Sequence, residues 1–518
     1  MHSMILIYPP VSKLSEPPAG IARLSGFLRG HGVRPILLDA NLEGMMYLLR
    51  SAGAAPHEAA CLSAGQACTW SRRALRNRSG NIASLKDGHV YAHIDRYKRA
   101  VSDLNRALEI SVMAGGVTVG LANYRSSLSP LRSMDLVQAA ETFEENPFYP
   151  YFSERLTELI KDKQPSLIGI SLNYLGQALC TFAIAGFIRK NFPDLQIVLG
   201  GGLVTSWLRQ PDWKNPFIGL VDHLVAGPGE YPLLSILGIE PGEKYSPPDF
   251  NDIPLKEYLS PGVVLPYSAS SGCYWRKCAF CPEKAEGNPY IAIPVDRAME
   301  EINSLVNRMD PVLLHLLDNS ISPALMHALI ENPPGLPWYG FAGISRQLTD
   351  SAFCVALKRS GCVMLKLGIE SGDQGVLDCM EKGIALDMVS LALKALKKAG
   401  IGTYVYLLFG TPYETLTEAR RTLEFTAKHC AEIGFLNLAV FNMPVCGKWS
   451  REFETNSFYE ADLSLYTDFS HPRGWNRRLV RAFLENEFKR DSAISAILKK
   501  DPPIFTSNHA PFFVIGHP

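Results

Sequence analysis

The sequence predicts an α/β protein in which a doubly wound domain precedes a partial parallel α/β barrel. Short apolar runs of strand length alternate with helical stretches before residue 240, and a second alternating series begins after residue 262. Between the two series, residues 241–261 hold several prolines and few apolar runs, as linkers do. The length of 518 residues allows two or three domains.

Residues 1–240 are expected to form the first domain, a doubly wound fold of the Rossmann-like and flavodoxin-like kind. Its parallel sheet would have five strands, at residues 4–8, 35–39, 167–171, 196–199 and 223–226. Residues 41–165 interrupt the alternation with helical stretches and few strand signals, so they are predicted to be a mostly helical insertion. The loops at the carboxyl ends of the strands would then form a ligand crevice.

Residues 262–447 are expected to form a partial (β/α)6 barrel of the TIM-like kind. Its six candidate strands lie at residues 263–268, 312–317, 338–343, 363–368, 402–409 and 434–441. From residue 448 to residue 518 the pattern changes to a polar, helical tail. Within this tail, residues 506–513 combine a histidine with aromatics. This segment either closes the barrel mouth and touches substrate or, as such tails do more often, simply packs.

Charge and hydropathy narrow the classes of function. The 51 basic and 51 acidic residues cancel, so no global charge favours nucleic acid or an anionic membrane. No signal peptide is evident, and no apolar stretch approaches the ~20 residues that span a bilayer. We therefore expect a cytoplasmic protein without a transmembrane segment or a nucleic-acid partner; peripheral contact with a lipid substrate stays open. The sequence also shows no Ser-His-Asp pattern, Walker loop or GxGxxG motif.

Three of the 11 cysteines, Cys273, Cys278 and Cys281, lie within nine residues, directly after the first predicted barrel strand. Three thiolates from one loop can bind three irons of a cubane [4Fe-4S] cluster and leave the fourth iron open to activate a ligand. Electron carriers use four cysteines and structural zinc sites use four ligands, whereas the next cysteine along the chain is Cys354. The spacing therefore favours a catalytic cluster. A zinc site, an electron carrier and incidental clustering are the alternatives.

Residues 271–282 resemble the cluster loop of radical S-adenosylmethionine (SAM) enzymes, which is written CxxxCxxC with an aromatic residue before the third cysteine. Phe280 occupies the aromatic position, but the first gap here is four residues instead of three. Downstream, residues 367–372 and 376–383 are similar to the family's fourth-strand signature, and residues 408–415 are similar to its fifth-strand turn. The resemblance covers most of residues 260–447.

The resemblance implies ligands for each cofactor. The cluster would be held by Cys273, Cys278 and Cys281, and SAM would be contacted by Phe280, Asp318, Arg346, Glu370 and Ser371. Members of the family use one electron from the cluster to cleave SAM into methionine and a 5′-deoxyadenosyl radical, which removes a hydrogen atom from an unactivated carbon. The implied partners are an electron donor such as flavodoxin or ferredoxin and a small-molecule, lipid or natural-product substrate.

The first domain resembles the cobalamin-binding (vitamin B12) domains that precede many such barrels. The similar features are a proline turn, polar residues after a strand and glycine-rich loops, at Pro10, Ser171, Asn173, Gly200, Gly201, Gly202, Gly227, Gly229 and Glu230. Glycines let the backbone approach a large flat ring, but they also make the turns that any α/β sheet needs. The DxHxxG signature, whose histidine ligates cobalt in cobalamin mutases, is absent.

If cobalamin is bound, the resemblance implies methylation of a carbon as the leading reaction. Methylcobalamin would supply the methyl group to a substrate radical, and a second SAM would remethylate the cobalt. One alternative is a radical SAM enzyme whose front domain is only a scaffold and which catalyses cyclisation or rearrangement. The other is a non-catalytic iron-sulfur or zinc binding protein.

Overall fold

A computed structural model of the chain describes residues 3–52, 65–113, 116–242, 246–458, 461–503 and 509–514. The chain divides into two compact units. Unit 1 comprises Met1–Val263 with Glu460–Ser464 and Pro503–Ser507, and unit 2 comprises Val264–Tyr459, Leu465–Pro502 and Asn508–Pro518. Within the described ranges, no helix combines the length and the apolar character that a bilayer-spanning segment needs.

Unit 1 is built on a parallel sheet. Its strands in chain order are β1 (Ser3–Tyr8), β2 (Arg34–Asp39), β3 (Thr118–Val119), β4 (Tyr124–Arg125), β5 (Leu167–Ser171), β6 (Gln196–Gly200) and β7 (His223–Leu224). Five of them pair in the order β2-β1-β5-β6-β7, whereas β3 and β4 form a separate hairpin. The predicted five-stranded doubly wound fold is therefore confirmed. Because the strand order reverses between β1 and β5, the loops after these two strands flank the switch point where such folds bind ligands.

The helices of unit 1 lie mostly between its strands. They are α1 (Ala19–Gly30), α2 (Ala40–Ser51), α3 (Gly65–Lys86), α4 (Ile94–Ser111), α5 (Ser133–Glu141), α6 (Tyr149–Lys163), α7 (Leu175–Asn191), α8 (Gly202–Leu208) and α9 (Glu230–Ile236). The stretch between β2 and β5 is mainly helical, and α3 packs along α4. Asp103 on α4 is only 1% exposed and binds Arg73 on α3 at 2.6 Å, which joins the two helices through a buried carboxylate.

The stretch that the sequence indicates as a linker packs within unit 1. The hydroxyl of Tyr258 donates to the buried carboxylate of Asp39. The amide of Leu259 donates to the carbonyl oxygen of Leu14 at 2.8 Å. These contacts hold residues 246–263 against the first sheet, and unit 2 begins at Val264.

Unit 2 is built on a second parallel sheet. Its first eight strands are β8 (Val264–Tyr267), β9 (Ser270–Ser271), β10 (Ile291–Ala292), β11 (Leu313–Leu316), β12 (Trp338–Ala342), β13 (Cys362–Glu370), β14 (Gly402–Phe409) and β15 (Phe435–Val440). Six of these pair in the order β15-β14-β13-β12-β11-β8, and the two end strands of this described sheet do not pair with each other. The partial six-stranded barrel is therefore confirmed. The short pair β9 and β10 is antiparallel and brackets the cysteine loop.

The helices of unit 2 follow the strands in the expected alternation. They are α10 (Pro282–Ala285), α11 (Val295–Met309), α12 (Pro323–Glu331), α13 (Arg346–Thr349), α14 (Ser351–Arg359), α15 (Gln374–Cys379), α16 (Leu386–Ala399), α17 (Leu416–Lys428), α18 (Trp449–Glu452), α19 (Arg477–Asn486), α20 (Ser492–Leu498) and α21 (Pro511–Val514). The start of α17 is a capping box, in which the amide of Thr415 donates to the side chain of Glu418 at 2.7 Å.

The tail contains strands as well as helices. Met443–Pro444 (β16), Thr455–Asn456 (β17) and Tyr466–Phe469 (β18) form a small antiparallel sheet in the order β16-β18-β17. The sequence predicts a helical tail at residues 448–518; β17 and β18 lie within it and correct that prediction, whereas β16 precedes it. Strands of two to four residues are too short to show an alternation of apolar and polar side chains that sequence analysis could detect.

The last described segment packs at the amino ends of the barrel strands. A Cβ built on Gly402, the first residue of β14, would lie 2.5 Å from the ring of Phe513. Gly434, just before β15, faces the same ring. The barrel mouth lies at the opposite, carboxyl ends of the strands. Residues 509–514 therefore pack beneath the barrel instead of closing its mouth; residues 506–508 lie outside the described residues.

Candidate functional site

The cysteine loop starts from a hydrogen-bonded base next to β8. Asp318, which follows β11 and is 2% exposed, accepts hydrogen bonds from the amide of Ala269 at 3.1 Å and from the hydroxyl of Ser270. Gly272 has a φ of +72°, and a Cβ there would lie 2.3 Å from the carbonyl oxygen of Pro289. Only glycine fits this position without displacing the backbone, so the chain is fixed just before the first cysteine.

The three cysteines of this loop are partly buried free thiols. Burial is the largest of the causes that together raise the pKa of Cys278 to about 11; the ammonium of Lys382 lowers it, and the neighbouring thiols of Cys281 and Cys273 raise it. Metal binding must therefore displace protons from the loop. No three His, Cys, Asp or Glu side chains in the described ranges could together hold a single metal ion. In a cubane cluster each thiolate binds its own iron, so the three side chains need not converge on a single ion.

The surroundings of Cys281 also fit a cluster ligand. Burial raises the pKa of its thiol, whereas hydrogen bonds from the amides of Lys284 and Glu283 lower it. These amides lie in α10, the single turn that follows the loop. Hydrogen bonds to the sulfurs of a cluster are among the factors that set its reduction potential. The donor set of three thiols on one loop fits a [4Fe-4S] cluster with an open iron.

A turn after α15 holds the loop from the other side. The amide of Ala279 donates to the carbonyl oxygen of Met380 at 2.9 Å. Gly383 has a φ of +72°, and a Cβ there would lie 2.4 Å from the ring of Trp275. The cysteine loop and the turn at residues 380–383 are therefore fixed against each other at two points.

Glu370 and Lys382 form an ion pair beside the loop. Glu370 Oε1 lies 2.8 Å from Lys382 Nζ, and the two side chains are only 12% and 16% exposed. Lys382 Nζ also lies 5.6 Å from the centre of the ring of Phe280, the residue between the second and third cysteines. Glu370 adopts the left-handed region at φ +70°, where β13 shifts its register against β14. The strand irregularity thus turns this carboxylate toward the turn at residues 380–383.

The other residues predicted to contact SAM have different surroundings. Ser371 is fully buried, and its hydroxyl lies 3.2 Å from Thr422 Oγ1 and accepts a hydrogen bond from the amide of Asp373 at 3.1 Å. Asp318 uses both carboxylate oxygens to bind the chain. Ser371 and Asp318 therefore support the loops in this structure. Arg346 is exposed at the first residue of α13, and its contact with SAM stays a prediction.

Sequence analysis did not assign a site role to Lys382. Its only signal is its place in residues 376–383, which are similar to the fourth-strand signature. That pattern does not reveal the partner, because the contact with Glu370 depends on the register shift of β13.

In unit 1, a buried glutamine joins the loops after β1 and β5. Gln177 is fully buried, and its side-chain amide donates to the carbonyl oxygen of Pro9 at 2.8 Å. Its oxygen accepts hydrogen bonds from the amides of Asn173 at 3.0 Å and Tyr174 at 3.1 Å. Sequence analysis missed Gln177, because a single glutamine near the start of a helix carries no distinguishing pattern.

The residues predicted to bind cobalamin all follow the carboxyl ends of strands in unit 1, except Ser171 and Gly200, which are the last residues of β5 and β6. Asn173 Oδ1 accepts a hydrogen bond from the amide of Gly202 at 3.0 Å, and its Nδ2 donates to Ser171 Oγ at 3.0 Å. The loops after β5 and β6 are thereby joined. Pro10 follows β1, and Gly227, Gly229 and Glu230 follow β7.

The glycines at this crevice have two different roles. Gly201 has a φ of +105°, and a Cβ there would lie 2.4 Å from the carbonyl oxygen of Leu172, so the turn itself requires glycine. Gly227 has a φ of +73°, and a Cβ there would meet open space. Gly227 thus leaves open space beside the backbone after β7, which fits the close approach of a large flat ring such as a corrin.

Comparison with known proteins identifies the barrel domain. Residues 267–426 match the family model of the Radical SAM superfamily. The chain is also 25% identical over 309 residues to an uncharacterized methyltransferase of Pyrococcus horikoshii; the match covers 53% of this chain and 66% of that protein. This chain thus spans just under two thirds of that relative.

Solved structures share the fold of almost the whole chain. The cobalamin-dependent SAM radical enzyme OxsB with aqua-cobalamin bound has a TM-score of 0.59 at 12% identity, over 91% of this chain and 65% of that chain. The radical SAM methyltransferase TsrM from Kitasatospora setae, with tryptophan substrate and a SAM analogue bound, has a TM-score of 0.56 at 14% identity, over 99% of this chain and 94% of that chain. The barrel therefore contains a radical SAM domain, and the chain as a whole has the fold of these two cobalamin- and SAM-associated enzymes.

Proposed function

We propose that the chain is a cobalamin-dependent enzyme that transfers a methyl group to an unactivated carbon of a small molecule. One observation carries the proposal: a three-cysteine loop within a radical SAM domain is joined, in one chain, to a doubly wound unit, and the fold is similar to that of TsrM over 99% of the chain. The name of the Pyrococcus horikoshii relative, a methyltransferase, agrees with this reaction.

In unit 2, Cys273, Cys278 and Cys281 would hold the [4Fe-4S] cluster, and Phe280 and Glu370 would border SAM. Bound there, the two cofactors supply a one-electron route to a carbon radical. The chain's own residues keep the thiols partly buried and the loop in one conformation. Asp318 holds the start of the loop, and the turn at residues 380–383 holds its middle. A fixed and sheltered loop limits access of water to the reacting groups.

In unit 1, cobalamin would occupy the crevice at the carboxyl ends of the strands. Bound there, it supplies a transferable methyl group. Pro10, Asn173 and Gly202 lie on the three loops that the buried Gln177 and the side chain of Asn173 connect. These hydrogen bonds would keep the crevice open in the absence of the cofactor, which lowers the cost of ordering it on binding.

The proposal includes an electron donor such as flavodoxin or ferredoxin, because the cluster must receive one electron from outside the chain. It also places the enzyme in the cytoplasm. The nine cysteines whose side chains the structure describes are free thiols, and reducing compartments keep thiols free. The substrate would be a small molecule, including natural products and lipids.

A second candidate function is a radical SAM cyclisation or rearrangement in which the front unit is only a scaffold. One observation favours it: the turn requires glycine at Gly201 whether or not a ligand binds, so this glycine is not evidence for a cofactor. The sequence also lacks the cobalt-ligating histidine motif of the mutases.

Anaerobic purification and reconstitution test both candidates. We expect about four irons per chain, together with the absorption bands of a bound corrinoid and formation of 5′-deoxyadenosine from SAM under reducing conditions. Labelled SAM with candidate metabolite extracts should give a product that has gained one methyl. Cys278→Ser should lose the cluster, whereas Cys430→Ser, a partly buried cysteine outside the loop, should keep it. Iron with SAM cleavage but no corrinoid would support the scaffold function, and metal without SAM cleavage would overturn both.

A further inference from the structure

We propose that Lys382 is an electrostatic residue of the cluster site, whose ammonium makes the cluster easier to reduce. This inference rests on the proposed function, since it requires a cluster on the three cysteines. It assigns a role to a side chain that neither the sequence pattern nor the resemblance assigns.

The position of Lys382 is fixed by contacts on three sides. Its Nζ lies 2.8 Å from Glu370 Oε1 and 5.6 Å from the centre of the Phe280 ring. The residues on either side of it in the turn are tied to the cysteine loop, through the hydrogen bond of Met380 with Ala279 and the contact of Gly383 with Trp275. A flexible lysine side chain is therefore held next to the loop.

The ammonium of Lys382 is the charge of the ion pair that lies over the ring of Phe280, between the second and third cysteines. It therefore acts on the loop at short range, although the two charges of the pair cancel at long range.

The sign of the effect follows from the charge of the cluster. In the reduction step one electron leaves the donor, which is oxidised, and enters the cluster, which with its three thiolates becomes more negative by one charge. A nearby cation stabilises the reduced state more than the oxidised state, and it does so strongly where solvent screening is weak. With 16% exposure, the Lys382 side chain meets that condition.

Lys284 provides a matched comparison on the same loop. Its ammonium binds the carbonyl oxygen of Lys277 and lies 3.0 Å from Glu381 Oε2, but the two side chains are 35% and 44% exposed. Solvent should screen this second ion pair, so its contribution to the cluster potential should be small.

The test is a redox titration of the reconstituted holoenzyme without substrate, in which the reduced cluster is measured by electron paramagnetic resonance. Lys382→Met should lower the ratio of reduced to oxidised cluster at a fixed potential about tenfold, which is about 59 mV for one electron. Lys382→Arg and Lys284→Met should both stay within about threefold of the unmodified enzyme, because the first keeps the charge and the second removes a screened one. Glu370→Gln should raise the ratio, because it removes an anion and keeps a hydrogen-bond acceptor.

Two results would overturn the inference: an unchanged ratio in Lys382→Met, or an equal fall in Lys284→Met. If Lys382→Met does not take up iron, the ratios of reduced to oxidised cluster in Glu370→Gln and Lys382→Arg test the inference instead. A lower ratio in Glu370→Gln than in the unmodified enzyme contradicts it. Failure of the proposed function gives a different result, because an enzyme that binds a cluster but does not cleave SAM still yields these potentials. If the chain does not bind a cluster at all, the unmodified protein will contain no iron after reconstitution.

Discussion

Gln177 donates a hydrogen bond to the carbonyl oxygen of Pro9 at 2.8 Å, across the switch point of unit 1. The same fully buried side chain accepts hydrogen bonds from the amides of Asn173 and Tyr174. One residue of α7 therefore joins the loops after β1 and β5, which we propose to line the cobalamin crevice.

Gln177→Ala should destabilise unit 1 and weaken corrinoid binding. The substitution leaves two amides and one carbonyl without their partner in a buried turn, which should cost about 1–3 kcal/mol of unfolding free energy. Chemical denaturation measures the stability, and titration with hydroxocobalamin measures the affinity. Gln138→Ala, at an exposed position of α5, is the control. Equal stability of the two variants would show that the hydrogen bonds of Gln177 do not stabilise unit 1.

Gly368→Ala should weaken SAM binding without unfolding the barrel. A Cβ at Gly368 would lie 2.5 Å from Glu370 Oε1 and 2.9 Å from Lys382 Nζ, so the ion pair must move, whereas a strand tolerates alanine. We expect the Kd for SAM to rise about tenfold, or about 1.4 kcal/mol, in equilibrium binding to the reconstituted enzyme. Gly20→Ala, where a Cβ meets no atom within 4 Å, is the control. Unchanged affinity in Gly368→Ala would contradict a role of this pair near SAM.

Glu414 should make the stability of unit 2 depend on pH. Burial raises the pKa of its carboxyl from 4.5 to about 7, against the hydrogen bonds from the amide of Gly410 and the indole of Trp475. Between these values the folded state binds more protons than the unfolded state, so this contribution to stability falls as pH rises from about 4.5 through 7. The loss should be on the order of 3 kcal/mol at pH 8.

Glu414→Gln tests this dependence, because glutamine keeps an acceptor for both donors and does not titrate. The variant should match the unmodified protein at pH 5 more closely than at pH 8, where it should be the more stable of the two. Denaturation of both proteins across this range provides the measurement. Glu424→Gln, an exposed position on α17, should leave the pH profile unchanged. Parallel profiles for Glu414→Gln and the unmodified protein would disprove the prediction.

Phe513→Ala should reduce stability and spare catalysis. The ring packs on Gly402 and Gly434 at the amino ends of β14 and β15, and its removal from this half-buried position should cost about 2 kcal/mol. The cysteine loop lies at the carboxyl end of β8, so SAM cleavage per folded chain should not change. Thermal unfolding measures the stability, and 5′-deoxyadenosine formation, followed well below the melting temperature, measures catalysis. Lost cleavage in the folded variant would indicate that the tail reaches the site.

The sequence by itself determined the elements whose signals are local. The apolar run that predicts a strand at residues 167–171 is β5 at Leu167–Ser171, and the predicted strand at residues 402–409 is β14 at Gly402–Phe409. The three cysteines could be recognised for the same reason, because one short loop carries them all and their spacing is visible in the chain. Strand propensity and ligand spacing depend mainly on neighbours in sequence.

Only the tertiary structure decided which side chains face one another. The pairing of Glu370 with Lys382 requires the register shift of β13, and the use of Asp318 as a loop support requires β8 and β11 to lie side by side. The position of Phe513 beneath the barrel depends on a contact between the last described segment and strands far earlier in the chain. Such contacts follow from the packing and hydrogen bonding of segments distant in sequence, for which the chain carries no local pattern.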